Sequence, residues 1–166
     1  MRFDNKQTLT AADLINQASE EELANIIFEF GEERYSRKIA KSIKSTKNIL
    51  TALDLKEAIR RATPPHKRNK TLARVFQAIR IAVNSELEKL KIFLNIFFDY
   101  LTVGGRIIIM SYHSIEDRMV KHAFRSLKES GKLNILTKKP VTPSEDELTS
   151  NNRSRSAKLR AAERLI

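Results

Sequence analysis

The sequence contains no cysteine and no tryptophan, and only four glycines and four prolines among its 166 residues. The absence of cysteine excludes disulfides, thiolate metal sites and cysteine nucleophiles, and favours a reducing cytoplasmic compartment. So few glycines leave no glycine-rich phosphate loop anywhere in the chain. The three histidines lack the spacing of a zinc site, so we predict no metal ion.

Long hydrophobic runs are also lacking. The longest apolar stretch, Ile92 to Leu101, is interrupted by Asn95 and Asp99 and reaches about half the length of a membrane span. The polar residues 1–6 do not resemble the start of a secretory signal. We therefore expect a cytoplasmic protein without a membrane segment.

The charge is strongly one-sided, with a formal net charge of +11 and an isoelectric point near 10.0. Such an excess of Lys and Arg points to an anionic partner, and both nucleic acid and an acidic membrane surface fit it. An ordinary basic protein without such a partner is the alternative.

Helix-capping patterns organise the first part of the chain. A hydroxyl followed three residues later by a carboxylate predicts a helix start after Thr10, Ser19 and Thr51. Gly31 is placed to end the second of these helices, and another helix is predicted over residues 32–45. The helix after Thr51 is predicted to cover residues 52–62, because Pro64 and Pro65 forbid its continuation.

The next segment is helical and then changes character. Apolar residues recur at alternating spacings of three and four from Leu72 to Leu101, which predicts one helix of about eight turns. The β-branched run from Arg106 to Ser111 predicts a strand covered on both faces, as in a parallel sheet. Further predictions are a helix over 115–129 capped by Ser114, a strand near 133–136 and, with helix as the alternative, a strand over 156–165.

Strands confined to one end of a chain make a poor independent sheet, because their edges and faces need partners. We therefore expect a missing amino-terminal half. The polar segment from Ser111 to Lys121 follows the predicted strand, at the end where ligands bind in open α/β sheets. A capping box of Ser114 and Asp117 explains part of it, and a Ser-His-Asp catalytic triad is disfavoured because neighbours in sequence rarely reach that geometry.

Several stretches, taken together and in order, resemble the MraW (RsmH) family of S-adenosylmethionine-dependent methyltransferases, which modify cytosine N4 in small-subunit (16S) ribosomal RNA. The matching stretches are residues 9–16, 19–24, 30–34, 76–84 with 86–87, 104–106, 111–121, 137–145 and 153–160. Local departures are Lys70-Thr-Leu-Ala-Arg74, where members often have His-Pro-Ala-Thr-Arg, and a short loop after Gly131.

The resemblance implies an α/β fold, namely the second half of a Rossmann-like class I methyltransferase sheet preceded by an all-helical substrate-binding insert. It implies residues 1–73 as the insert and 74–166 as the carboxy-terminal half of the methyltransferase domain. S-adenosylmethionine is implied for the full-length enzyme, whose donor loop precedes the position of Met1, so we expect none to bind this chain alone.

Charge, position and motif matching then suggest site residues. For the pocket wall that carries catalysis, the candidates are Ser111, His113, Ser114 and Asp117. For phosphates of small-subunit ribosomal RNA, they are Arg34, Arg37, Lys38, Arg80, Lys138, Lys139, Arg153, Arg155, Lys158 and Arg160. The alternative function is a non-catalytic RNA-binding or scaffold remnant that could form a homodimer.

Overall fold

The computed structural model describes residues 1–4 and 6–166, which form two compact units, Met1–Glu86 and Leu87–Ile166. The first unit is helical. Its helices are α1 (Ala11–Gln17), α2 (Glu20–Gly31), α3 (Ser36–Lys44), α4 (Ala52–Ala62) and α5 (Arg68–Asn84). Complete capping boxes open α1, α2 and α4, so the three predicted helix starts are confirmed.

One apolar core holds this helical unit together. Its fully buried side chains come from all five helices, and they include Ile15, Leu23, Ile27, Ile39, Ile43, Leu55, Ile59, Val75 and Ile79. Each buried aliphatic side chain of this kind contributes about 1.5–3 kcal/mol relative to exposure. The helical unit therefore has the core of an independently packed module.

The junction between α2 and α3 differs from the sequence prediction. The left-handed residue that ends α2 is Glu32, with φ 50°, and α3 begins only at Ser36. Gly31 is needed for a different reason, because a Cβ there would lie 2.7 Å from the carbonyl oxygen of Arg74 on α5. Gly31 thus permits the close approach of α2 and α5.

The prediction of a single helix from Leu72 to Leu101 is wrong. The helix breaks at Ser85, whose φ of 50° is left-handed, and α6 (Glu86–Ile96) follows, then a 3-10 turn over Phe97–Tyr100. The side chain of Asn84 binds the carbonyl oxygens of Met1 and Arg80 and accepts the N–H of Phe3. The three-and-four spacing continues across the break, which is why the sequence did not show it.

The helical unit includes the whole of α5 and ends at Glu86. The division into residues 1–73 and 74–166 that the resemblance implies stays a prediction. Val75, Ile79 and Val83 of α5 are buried in the core of the helical unit. Because these residues hold α5 to that core, the first unit extends to Glu86.

The second unit is a small mixed α/β structure. It contains most of α6, then β1 (Arg106–Ser111), α7 (Ser114–Glu129), β2 (Leu133–Ile135), α8 (Glu145–Ser150) and β3 (Lys158–Arg164). The sheet order is β1-β3-β2, and β3 runs antiparallel to both neighbours. β1 and β2 therefore run parallel to each other and are joined by α7. The predicted strands near 133–136 and over 156–165 are confirmed, whereas α8 was not predicted.

β1 has one covered face and one open face, so the expectation of a parallel sheet covered on both faces is corrected. Ile107 and Ile109 pack against the core built around Val120 and Phe124 of α7, whereas Ile108 is 65% and Met110 51% exposed. The continuous apolar run hid this alternation, because both faces carry similar side chains.

One edge of β1 is open as well. The backbone of Leu159 exchanges hydrogen bonds with Val141, and the carbonyl of Ala161 accepts from Leu136 and Thr137. Met110 and Ile108 lie opposite these two residues, so their own N–H and C=O groups point away from β3. Among the residues that the structure describes, β1 pairs with no strand other than β3.

No helix in the described part of the chain combines the length and the apolar character that crossing a membrane requires.

Candidate functional site

The segment between β1 and α7 forms a tightly hydrogen-bonded turn at the carboxyl end of β1. His113 is the residue that caps α7, and its Nδ1 accepts the backbone N–H of Glu116 at 3.4 Å. Glu116 completes the turn, because its Oε2 accepts the N–H of Tyr112 at 2.9 Å. The predicted capping box of Ser114 and Asp117 is therefore wrong by one residue, since Ser114 is already the first helical residue.

The cap fixes the chemistry of the His113 imidazole. Because Nδ1 is an acceptor, the neutral ring carries its proton on Nε2, which lies 3.4 Å from Oε1 of Glu116. Burial raises the pKa of Glu116, but the hydrogen bonds from His113 and from the Tyr112 amide outweigh it and hold that pKa below the ordinary 4.5. Glu116 is consequently ionised at neutral pH.

Asp117 forms a buried ion pair that joins α7 to β3. Its Oδ1 accepts from Nε of Arg160 at 2.7 Å and its Oδ2 from Nη2 at 3.1 Å, while Nζ of Lys158 lies 3.7 Å away. The hydrogen bond from Arg160 lowers the pKa of Asp117 below the ordinary 3.8. Burial raises this pKa, but its effect is smaller than that of the hydrogen bond. The bidentate geometry holds the first turn of α7 against the sheet.

Two polar atoms of this turn are buried without a well-formed hydrogen bond. Within residues 1–4 and 6–166, Oγ of Ser111 makes none, and Nε2 of His113 has only its 3.4 Å contact with Oε1 of Glu116. A buried polar atom left unsatisfied costs about 1–3 kcal/mol. Ser114 and the aromatic Tyr112 are the exposed members of the turn. The turn thus presents the Tyr112 ring and the Ser114 side chain at its surface, with Oγ of Ser111 and Nε2 of His113 beneath them.

The basic residues singled out from the sequence fall into two groups. The first is exposed and includes the turn before α3, α3 itself, the residues after β2 and the 3-10 turn Asn152–Ser156. Its members are Arg34, Arg37, Lys38, Lys138, Lys139, Arg153 and Arg155.

The second group is engaged inside its own unit. Arg160 is buried and held by Asp117, and Lys158 lies beside the same carboxylate. Arg80 binds both carboxylate oxygens of Glu86 at 2.9 Å. Phosphate contacts by these three side chains stay predictions, and the geometry gives Arg160 a role in positioning α7.

Sequence reasoning missed two exposed features of the second unit. Tyr112 follows β1 with its side chain exposed, and Lys121 and Lys128 of α7 line a cleft beside β2. The signal for the lysines was present, because Arg118, Lys121, Arg125 and Lys128 recur at spacings of three and four.

Comparison with known proteins decides the family. Residues 1–165 match the profile of the MraW methylase family. The chain belongs to this family. The resemblance noted in the sequence motifs is therefore confirmed.

Curated relatives carry the name ribosomal RNA small subunit methyltransferase H. The protein of Kosmotoga olearia is 52% identical over 99% of this chain and 57% of its own length. The protein of Thermotoga neapolitana is 54% identical over 98% of this chain and 55% of its own length. The protein of Cyanothece sp. is 48% identical over 99% of this chain and 55% of its own length. The MraW-family chain described here spans about half the length of the curated relatives it matches.

Proposed function

We propose that this MraW-family chain is one part of an S-adenosylmethionine-dependent methyltransferase that modifies N4 of a cytidine in small-subunit ribosomal RNA. It supplies the RNA-facing helical unit and one wall of the target-base pocket. The methyl donor binds to the part of the enzyme that relatives possess and this chain does not span, so the chain alone is inactive.

The open side of β1 is the observation that carries this proposal. An edge strand with unpaired backbone groups and an exposed apolar face is normally paired or covered in a native protein. β1 and β2 run parallel and are joined by α7, which is the arrangement of strands in an open α/β sheet. Further parallel strands added beside β1 would complete a Rossmann-like sheet, in which residues 74–166 form the carboxy-terminal half and residues 1–73 the helical insert.

The residues present do not fit S-adenosylmethionine. A nucleoside-type cofactor needs a glycine-rich turn after a strand and a free carboxylate for its ribose hydroxyls. Gly104 and Gly105 precede β1, at the amino end of the strand. Asp117 is occupied by Arg160, and Glu116 by the Tyr112 amide and His113. This mismatch agrees with a donor site outside the chain.

The turn after β1 suits the target base. An exocyclic amine needs acceptors for its protons, and the base needs donors and a stacking surface to hold it in line for transfer. In the proposal, Ser111 and His113 form the wall behind the base, and the exposed Ser114 lies at the pocket rim. Asp117 contributes by holding α7 against β3, because both of its oxygens are engaged by Arg160.

Exposed cations would bind the RNA phosphates. Arg34, Arg37 and Lys38 lie together on the turn and first residues of α3, and Arg153 and Arg155 lie on the 3-10 turn before β3. Unpaired Arg and Lys side chains of this kind position nucleic acid without reading its sequence.

Methyl transfer by a reassembled enzyme tests the proposal. The chain is co-purified with the segment of the Thermotoga neapolitana protein that it does not match, and tritium transfer from S-adenosylmethionine to unmodified small ribosomal subunits is counted. We expect N4-methylcytidine only when both polypeptides are present. Saturable binding of S-adenosylmethionine to the chain alone, measured by titration calorimetry, would contradict the assignment of the donor site.

A non-catalytic scaffold is the second candidate, and the same open edge of β1 favours it. Two copies of the chain could pair through this edge and cover Ile108 and Met110. Sedimentation distinguishes the two: a stable dimer that no second polypeptide dissociates would support the scaffold.

A further inference from the structure

The outer side of α7 carries a stripe of positive charge. Arg118, Lys121, Arg125 and Lys128 follow one another at spacings of three and four, which places them along one side of the helix. Val120 and Phe124, on the adjacent inward side of the helix, are buried in the core. The stripe is therefore fixed in orientation by the packing of α7.

A cleft of about 380 Å³ runs between this side of α7 and β2. Lys121 and Lys128 line one wall, and Lys138 lines the other, just beyond β2. Phe124 and Ile135 contribute apolar surface between the two walls. Cations on both sides of an apolar floor distinguish this cleft from a solvated helix face.

The charges of the cleft are not balanced from within. Glu129, the one acidic side chain among the described residues that line it, is held by Arg125 at 2.8 Å, and the carboxylate of Asp117 is occupied by Arg160. Lys121, Lys128 and Lys138 form no ion pair with any residue that the structure describes. Three neighbouring cations without counter-charges create a strong local preference for an anion.

The cleft has the chemistry of phosphate binding and lacks that of base readout. Among the residues that the structure describes, no amide side chain lines the cleft, and the one hydroxyl there, on Thr137, exchanges hydrogen bonds with the backbone of Ala161. Lys121 and Lys128 lie about 10 Å apart along the helix axis at 1.5 Å per residue. That span equals roughly three nucleotides of a stacked strand.

We propose that the cleft between α7 and β2 binds the sugar-phosphate backbone of RNA through Lys121, Lys128 and Lys138. This inference rests on the proposed RNA substrate and adds a second contact surface, separate from the turn after β1. Binding there is independent of sequence and positions the RNA rather than selecting a base.

Salt-dependent RNA binding by the full chain tests the inference. Dissociation constants for two short fluorescein-labelled single-stranded RNAs of unrelated sequence are measured against potassium chloride for the wild type and the Lys121→Gln/Lys128→Gln variant. The control is Lys89→Gln/Lys91→Gln, which removes the same charge from exposed positions on α6 that do not line the cleft. A Lys121→Arg/Lys128→Arg variant tests whether charge alone restores binding.

We expect the cleft variant to lower the slope of log affinity against log salt by about 1.4, for both RNAs equally, because each lost phosphate contact removes roughly 0.7. The control should keep the wild-type slope, and the arginine variant should regain it. Equal changes of the salt slope in the cleft and control variants would overturn the inference. It would also be overturned if the cleft variant lost binding to anionic lipid vesicles while its RNA binding stayed unchanged. If the reassembled enzyme transferred no methyl group but the cleft variant still lowered the salt slope, the proposed enzyme activity would be rejected and the inference about the cleft would stand.

Discussion

The buried ion pair of Asp117 and Arg160 permits a quantitative prediction. Both side chains are almost completely buried, and the guanidinium is held by both carboxylate oxygens. Replacing Asp117 with Asn keeps the volume but leaves the charge of Arg160 without compensation. Removing one partner of such a pair costs about 3–5 kcal/mol, which is a large part of a typical domain stability of roughly 5–15 kcal/mol.

The assay must report on the second unit alone, because two compact units need not unfold together. Hydrogen exchange of peptides that cover Lys158–Arg164 meets this requirement. In Asp117→Asn we expect exchange of β3 amides to be at least a hundredfold faster, since each tenfold change corresponds to about 1.4 kcal/mol. Peptides from α2 should be unaffected and serve as the internal control.

The double variant Asp117→Asn/Arg160→Met separates pairing from packing. Replacing both partners removes the uncompensated charge, so we expect part of the lost protection to return. If the free energy of opening of β3 in Asp117→Asn lay within about 0.5 kcal/mol of the wild-type value, the prediction would be refuted, because the carboxylate would then contribute little to holding α7 against β3.

Four further results are expected. Because the pKa of Asp117 is lowered below 3.8, the stability that its ion pair contributes is present above pH 3.8 and is lost as the pH falls through the lowered pKa. Acid titration of the hydrogen-exchange protection of β3 amides should show this loss in the wild type and not in Asp117→Asn. Gly31→Ala should destabilise the helical unit by about 1–3 kcal/mol in urea unfolding followed by circular dichroism, because its Cβ would meet the Arg74 carbonyl, whereas an exposed Ser45→Ala should be nearly neutral. Ser111→Ala should leave stability unchanged or raise it, since the hydroxyl it removes is buried and unpaired, while lowering methyl transfer by the reassembled enzyme; reduced stability with normal transfer would contradict the pocket role. Ile108→Lys, on the open face of β1, should abolish reassembly without reducing helicity of the chain by itself.

Local rules predicted the helical unit well. The hydroxyl and carboxylate spacings at Thr10, Ser19 and Thr51 involve groups three residues apart, so the sequence contains all the information that the cap needs. The bounds of β1 were equally local, since a β-branched run lies between a glycine turn and polar residues.

The errors arose where contacts between distant residues decide the conformation. The left-handed Ser85 follows Asn84, which binds the backbone of Met1 and Phe3 more than eighty residues away. No periodicity could reveal that break. The open face of β1 was likewise hidden, because Ile108 and Ile109 are identical residues with opposite surroundings.

The local structure after β1 was predicted only in outline, and its role as a site stays a prediction. The polar run forms the turn before α7, but His113 caps α7 where Ser114 was expected, since the cap depends on backbone geometry. Arg160 looked like a phosphate ligand because its neighbours are basic. Its pairing with Asp117 joins elements that are distant in sequence, and only the folded structure brings them together.

Hydrogen exchange at the free edge of β1 tests the central claim most directly. The amides of Ile108 and Met110 point away from β3, whereas those of Ile107 and Ile109 point towards it. In the chain alone at low concentration, the amides of Ile108 and Met110 should exchange rapidly when they are measured residue by residue. They should become protected when the segment of the Thermotoga neapolitana protein that the chain does not match is added. Strong protection of Ile108 and Met110 in the isolated monomer would contradict the claim that β1 is the inner strand of a larger sheet.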